Sequence, residues 1–341
     1  MKWIEKIRLI GNWRDVPPVL AAVALPPPSS ATAGATFTAI PTEPKILSAD
    51  NLRSAWEEVE RKKGAPGVDR VSLKRWARNW EERLDALARE ARANTYRARK
   101  LKQFQIPKKD GTMRTISILT VTDRVLQRAV LRAVDDVFER DFLDCSYGYR
   151  PGRGVLDAVP AILEHRDAGR GWVLDADIDN CFPSLKHHLI LRYFQQKVDD
   201  PIVTGLLKQW MAQGETSPGV GISLGAVISP LLCNILLHQL DLQLLRMGYA
   251  LVRYADDFCI FCATRAQAEK AMNRTAFALK KLQLAFEPNK TNITHFDQGF
   301  DFLGVHFYRD TYSFEAAEKR IEVKGAFDPT LFYDYAPEGY S

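Results

Sequence analysis

Residues 251–261 read Leu-Val-Arg-Tyr-Ala-Asp-Asp-Phe-Cys-Ile-Phe, two short apolar arms around the adjacent carboxylates of Asp256 and Asp257. The arms are short and apolar, so each reads as a strand, and the Ala-Asp-Asp between them leaves room only for a tight hairpin turn. Such arms belong in a core, which sets two like charges at the edge of a poorly solvated interior. Each raises the other's pKa unless a cation compensates, so the pair suggests a metal site. A bare pair of aspartates is more often a turn than a ligand pair, and the reading needs a second element.

Upstream, Gly171-Trp-Val-Leu-Asp-Ala-Asp-Ile is another buried-type strand, and it ends in Asp175, Asp177 and Asp179. Two acidic strand ends can face one another. Hard oxygen ligands from separate strands, with coordination positions left open for phosphate oxygens, suit two-magnesium phosphoryl transfer. A calcium loop is the competing reading of DADIDN. It fails, because its sixth position is Asn180 rather than Gly and its twelfth is Lys186 rather than Glu.

Outward from these two strands, the periodicity predicts helices at about 186–197, 202–212, 227–246 and 265–284, then strands near 292–295 and 300–307. Before them come helices at 48–61, 73–93, 122–139 and 155–165. Strand-like runs at 104–107 and 113–118 flank Lys108-Lys109-Asp110-Gly111, a hairpin with a basic tip that can reach a phosphate. Residues 17–45 are rich in Pro, Ala and Thr and read as a linker, so the folded body is expected to start near Ser48. The class is α+β, an antiparallel sheet covered by helices with a helical lobe before it.

Composition bounds the function. Hydrophobic residues at 46% and charged residues at 26% are ordinary globular values. The net charge of +5 permits a polyanionic partner, and residues 97–109 concentrate six basic and no acidic side chains. Five cysteines, an odd number in a long chain, suit a reducing compartment, and Cys259 and Cys262 read as core residues rather than a zinc or redox pair. The six histidines form no HExxH, which argues against a histidine-based metalloenzyme. No apolar run is long enough to span a membrane and no signal-peptide layout is present, so no membrane association and a cytoplasmic location are expected.

The ordered series GAPGVD, IPKKDGTMRTISI, TDRVLQRAV, SYGYRPGRG, WVLDADIDNCF, LGAVISPLLCN, RYADDFCIF, Pro288-Asn-Lys290-Thr291 and GFDFLGVHF resembles the reverse transcriptases, within them the bacterial group II intron-like lineage. The resemblance spans roughly Gly64 to Phe307. It implies a right-hand polymerase with fingers at 48–170 and palm at 171–308, preceded by an extension at 1–47 and followed at 309–341 by a tail or the start of a thumb. It also implies two Mg2+ ions per active site, with Mn2+ able to substitute, an RNA template, a DNA or RNA primer and dNTPs. Asp177 and Asp256 would be the principal metal ligands with Asp257 beside them, and Ile178 would contribute from the same segment. Phe182 matches the steric-gate aromatic that excludes a ribose 2′-hydroxyl. Lys108 or Lys109 and Arg114 match the residues that clamp the triphosphate. By the same resemblance Leu224 and Gly225 would lie at the nucleotide, and Lys290 would protonate pyrophosphate. Gly67, Arg150, Arg153 and Tyr254 are implied nucleic-acid contacts, and Phe302-Leu303-Gly304 resembles the primer-grip hairpin.

Two departures from the family pattern qualify these expectations. Where the intron-type enzymes read PQG, this chain has Ser223-Leu224-Gly225, which makes altered nucleotide selection an expectation. After Phe307 only 34 residues follow, with no multi-helix pattern, so the thumb is expected to be short or missing. This favours a domesticated relative over a mobile intron's own maturase, with CRISPR spacer acquisition or phage defence as the setting and an integrase or other subunit supplying missing contacts. Alternatives from other classes are a template-independent or protein-primed polymerase and an inactive hand-shaped binding subunit.

Overall fold

A computed structural model of the chain describes residues 43–331, apart from 108–110, 112 and 317–318. The basic tip Lys108-Lys109 and most of the Pro-rich N-terminal segment therefore lie outside the described residues.

The helical lobe opens with α1 (Glu43–Ile46) and α2 (Ala49–Arg61). Ser48 caps α2, accepting from the Asn51 amide, and Leu52, Ala55, Trp56 and Val59 fall on one face and are buried. Ile46 and Leu47 are already buried, so packing begins two residues before the expected start at 48. The stretch expected as one helix over 73–93 is interrupted. It forms α3 (Leu73–Trp76), a 3-10 turn (Ala77–Asn79) and α4 (Trp80–Arg92), with Asn79 leaving helical geometry at φ −135°, ψ 43°. Trp76 anchors the break, its indole N–H donating to Thr122 Oγ1 at 3.1 Å and its ring 4.3 Å from that of Trp56.

β1 (Lys102–Pro107) and β2 (Met113–Ile118) pair antiparallel from Lys102↔Ile118 to Pro107↔Met113 and form a mostly exposed two-stranded ribbon. The ribbon leads into α5 (Val121–Glu139), capped by Thr120. Helix α5 is the spine of the lobe: its apolar face packs on α2, and its buried Asp123 accepts hydrogen bonds from Tyr96 and Thr120.

The second region is built on a four-stranded antiparallel sheet ordered β4-β5-β3-β6. Its strands are β3 (Trp172–Ala176), β4 (Ala250–Tyr254), β5 (Asp257–Cys262) and β6 (Asn292–His295). Both faces are covered, which is why these strands read as continuous apolar runs. Leu174, Leu251, Phe258 and Ile260 enter the main core with the long helices, and Val173, Val252, Cys259 and Phe261 enter a second core. The main-core face packs against α10 (Ser229–Arg246) and α11 (Arg265–Lys281), with α7 (Cys181–Ser184), α8 (His187–Gln195) and α9 (Pro201–Ala212) beyond. On the other face lies α6 (Val155–Asp167), whose Val159, Ile162 and Leu163 join the second core. The expected lobe boundary at residue 170 thus divides α6 from the sheet on which it packs.

Residues expected as a tail or thumb start continue into strands. β7 (Phe300–Phe302), β8 (Val305–Tyr308), β9 (Thr311–Ala316) and β10 (Lys319–Lys324) form a second antiparallel sheet in that order, closed onto the second core by Phe300, Phe307, Tyr312 and Phe314. All five cysteines are free and buried, Cys259 and Cys262 among them. Among the described residues no helix is long and apolar enough to cross a membrane.

Candidate active site

Strand register assembles the acidic cluster. Ala176 of β3 pairs with Phe258 of β5, so the next residue, Asp177, comes level with Asp257. Tyr254 pairs with Asp257, which leaves Ala255 and Asp256 as a two-residue turn with Ala255 in the left-handed region at φ 60°. The turn is packed from outside: a Cβ on Gly148 would lie 2.3 Å from the Ala255 nitrogen. Only glycine at 148 allows that approach.

The charges interact as the sequence predicts for carboxylates at a core edge. Burial first, then the charge of Asp177, pushes Asp256 above the usual carboxylate range, with Arg114 and Lys290 partly offsetting the rise. Asp257 is pushed up to about 7 by burial and then by Asp256 and Asp177. Lys290, in the 3-10 turn Pro288–Lys290, donates from Nζ to Asp177 Oδ2 at 2.5 Å, and that bond raises the ammonium's pKa. Ile178 bridges to Phe286 through Asp179 N–H donating to Ala285 O and Glu287 N–H donating to Asp177 O. Its own carbonyl is the acceptor in neither bond.

Among the described residues no group of three or more His, Cys, Asp or Glu side chains is arranged to hold an ion as it stands. The donor chemistry nevertheless fits a divalent cation. Three hard-oxygen side chains gather at one strand end, the proton affinities of Asp256 and Asp257 are raised there, and a half-exposed ammonium, Lys290, is drawn in at Asp177.

The other expected site residues divide by what their groups already do. Arg114 lies on β2 across from Ile106, and its charge reaches Asp256. Phe182 is buried at the start of α7, and the edge of its ring meets Tyr149 at 6.3 Å between centroids and 85°. Leu224 is half-buried, and its carbonyl accepts from the Ser117 amide at 2.8 Å; a Cβ on Gly225 would lie 2.4 Å from Ser117 O. The 224–225 segment therefore docks the ribbon by main-chain contact. Gly67 has a similar role, since a Cβ there would lie 2.6 Å from the Thr120 nitrogen. Phe302-Leu303-Gly304 turns β7 into β8 with Leu303 at φ 55° and Gly304 at φ 80°, the paired left-handed residues of a tight hairpin.

Arg150 requires a correction. Expected at the template strand, its side chain is 3% exposed, and its guanidinium grips the Glu139 carboxylate while donating to the carbonyls of Leu143, Ser146 and Phe142. All its donors are engaged inside the protein. Arg153 keeps more surface but is paired with Asp144 at 2.5 Å.

A buried network behind the turn escapes the sequence reading. Arg253, fully buried, donates from Nε and Nη2 to the carboxylate of Asp241 at 2.7 and 2.5 Å, and from Nη1 to Asn234 Oδ1 at 3.0 Å and Ala255 O at 2.9 Å. Asn234 Nδ2 donates in turn to Gly148 O at 2.9 Å. The available signal was Asn234 and Asp241, seven residues apart on one face of the apolar helix α10, where buried polar groups need partners.

A covered antiparallel sheet with carboxylates gathered at one end is a palm-like core of the kind nucleic-acid polymerases have. A family profile described as "Reverse transcriptase (RNA-dependent DNA polymerase)" matches residues 106–307, and the chain belongs to that family. Protein YkfC of Escherichia coli K12 is 31% identical over 295 residues, 72% of this chain and 77% of YkfC. The group II intron-encoded protein LtrA of Lactococcus lactis subsp. cremoris is 29% identical over 177 residues, 49% of this chain and only 29% of LtrA. Among solved structures, a chain of a partial Cas6-RT-Cas1–Cas2 complex aligns with a TM-score of 0.42 at 22% identity, covering 70% of this chain and 41% of that one.

Proposed function

We propose that the chain extends a primer 3′-hydroxyl with deoxynucleoside triphosphates copied from an RNA template. The observation that carries this reading is the register that brings Asp177 level with Asp257 and beside the Asp256 turn, with Lys290 bonded to Asp177. Asp177, Asp256 and Asp257, with the carbonyl of Ile178, would hold two Mg2+ ions, for which Mn2+ can substitute. Bound divalent ions supply Lewis-acid activation of the primer hydroxyl and neutralise the triphosphate.

The chain's own groups do the rest. Arg114 offers a guanidinium toward the phosphates from the ribbon, and the same role is proposed for Lys108 and Lys109. Phe182 closes the sugar side of the nucleotide, against Tyr149. Lys290 carries a proton within reach of the acidic cluster and is proposed to deliver it to the departing pyrophosphate. The turn at Leu303-Gly304, with Phe302 and Tyr254, is proposed to bear on the primer, and Gly67 and Arg153 on the template.

Primer extension on RNA and DNA templates, with deoxy- or ribonucleotides and Mg2+, tests the reading beside Asp256→Ala. Template-directed deoxynucleotide incorporation that vanishes in Asp256→Ala is the expected result. Synthesis that ignores template sequence would instead favour a template-independent polymerase, a second reading motivated by the apolar Leu224 where the family has glutamine. No Asp256-dependent synthesis under any condition would leave an inactive binding subunit. Spacer acquisition or phage defence, with an integrase subunit as partner, rests on sequence resemblance alone; co-purification with integrase proteins tests it.

A further inference from the structure

Tyr149 enters the reading above only as the neighbour of Phe182, yet its own placement is unusual. It sits in the left-handed region at φ 62°, a backbone conformation that bulky residues rarely hold. Its neighbours leave it no freedom to relax. Tyr147 N–H donates to Arg253 O at 2.8 Å, Gly148 O accepts from Asn234, and Gly148 lies against the Ala255 backbone. The loop is thereby tied to the same turn that carries Asp256. Strain held in place by its surroundings clusters at functional sites.

The side chain shows what that backbone delivers. The Tyr149 ring meets the Phe182 ring edge-on at 85°. Phe182 is 6% exposed and Tyr149 38%, so Tyr149 flanks the gate aromatic on the open side. Burial first, then the charge of Asp256, raises the pKa of its phenol above the ordinary value. A T-shaped contact restricts the ring it abuts.

We propose that Tyr149 is the positioning residue of the sugar gate: its ring holds Phe182 in the pose that excludes a ribose 2′-hydroxyl, and so sets how strictly ribonucleotides are rejected. The proposal rests on the reading of Phe182 as the gate. Without the Tyr149 ring, Phe182 turns aside to admit the 2′-hydroxyl at a cost comparable to the lost aromatic contact.

The test compares kcat/KM for dNTP and matching rNTP incorporation by the full-length chain on a primed RNA template with Mg2+. Tyr149→Asn deletes the ring while suiting the left-handed backbone, Tyr149→Phe keeps the ring, and Phe182→Val removes the gate. The dNTP/rNTP ratio is expected to fall about three- to tenfold in Tyr149→Asn, the size of one aromatic pair. It should fall further in Phe182→Val and stay within about twofold of the parent in Tyr149→Phe. Tyr149→Asn should add nothing in the Phe182→Val background, because it acts through that ring. A parental ratio in Tyr149→Asn with a relaxed Phe182→Val overturns the Tyr149 role alone, and so does an equal fall for both nucleotides. A parental ratio in Phe182→Val overturns the gate reading and the proposal with it.

Discussion

Arg253 Nη1 donates a hydrogen bond to the carbonyl oxygen of Ala255 at 2.9 Å, while the remainder of the same guanidinium is held by Asp241. The Ala255-Asp256 turn is thus fixed from inside the core by a charge with no access to water. Arg253→Met leaves the Asp241 carboxylate buried without its partner, a loss of about 3–5 kcal/mol. Arg253→Met combined with Asp241→Leu removes both charges and should recover most of that stability in urea unfolding. Ala255 O still lacks its donor, so synthesis should stay at least about tenfold below the parent, the equivalent of one lost hydrogen bond at the site. A fully active double variant would show that the pair serves only the core.

Lys290 and a divalent cation compete for Asp177 Oδ2. In Lys290→Met, Mg2+ should raise the unfolding temperature more than it does in the parent, because a ligand stabilises in proportion to its affinity for the folded state. Turnover should fall by about 10²–10⁴ if the ammonium is the proton donor. Equal Mg2+ shifts in the two proteins would remove the competition argument, and undiminished turnover would remove the acid.

Two glycines should respond to alanine with opposite signs. At Gly148 the new methyl meets the Ala255 nitrogen at 2.3 Å, whereas at Gly205, inside α9, nothing lies within 4 Å. Gly148→Ala should destabilise by about 1–3 kcal/mol and depress synthesis by displacing the turn. Gly205→Ala should stabilise by about 0.5–1 kcal/mol through helix propensity. Calorimetric scans of both variants check the pair.

His165 packs on Phe261 at 4.9 Å between ring centroids, and burial, then the charge of Arg170, lowers its pKa to about 4. The folded value lies below the unfolded one, so its contribution is complete above about pH 6.5 and is lost as pH falls toward 4. The total loss across that window should amount to about 1 kcal/mol once screening of a partly exposed ring is allowed for. Unfolding free energies across this window should lose that component in His165→Phe.

Much of this arrangement was legible because it is written in short-range periodicity. The apolar arms around Asp256 and Asp257 and the strand ending at Asp177 could only be buried strands, and burial on both faces follows from their unbroken apolar character. The partners of individual charges were not legible. Arg150 in a basic, glycine-rich loop looks like a phosphate contact until Glu139 and three carbonyls are seen around it. Nothing local announces that Asn79 interrupts a helix, since the break is anchored by Trp76 reaching Thr122. The strands β9 and β10 do carry a two-residue alternation in Tyr312 and Phe314 and in Ile321 and Val323, which a search for a helical thumb passes over.

The burial of all five thiols gives the protein a built-in reporter of its own opening. Cys181 adjoins Phe182, Cys233 lies on α10 one residue before Asn234, Cys145 leads the loop that reaches Gly148, and Cys259 and Cys262 sit in β5. An alkylating reagent can reach each only when its own neighbourhood unfolds, so the order of labelling, followed by mass spectrometry, ranks the local stabilities of the supports of the Ala255-Asp256 turn without any substitution.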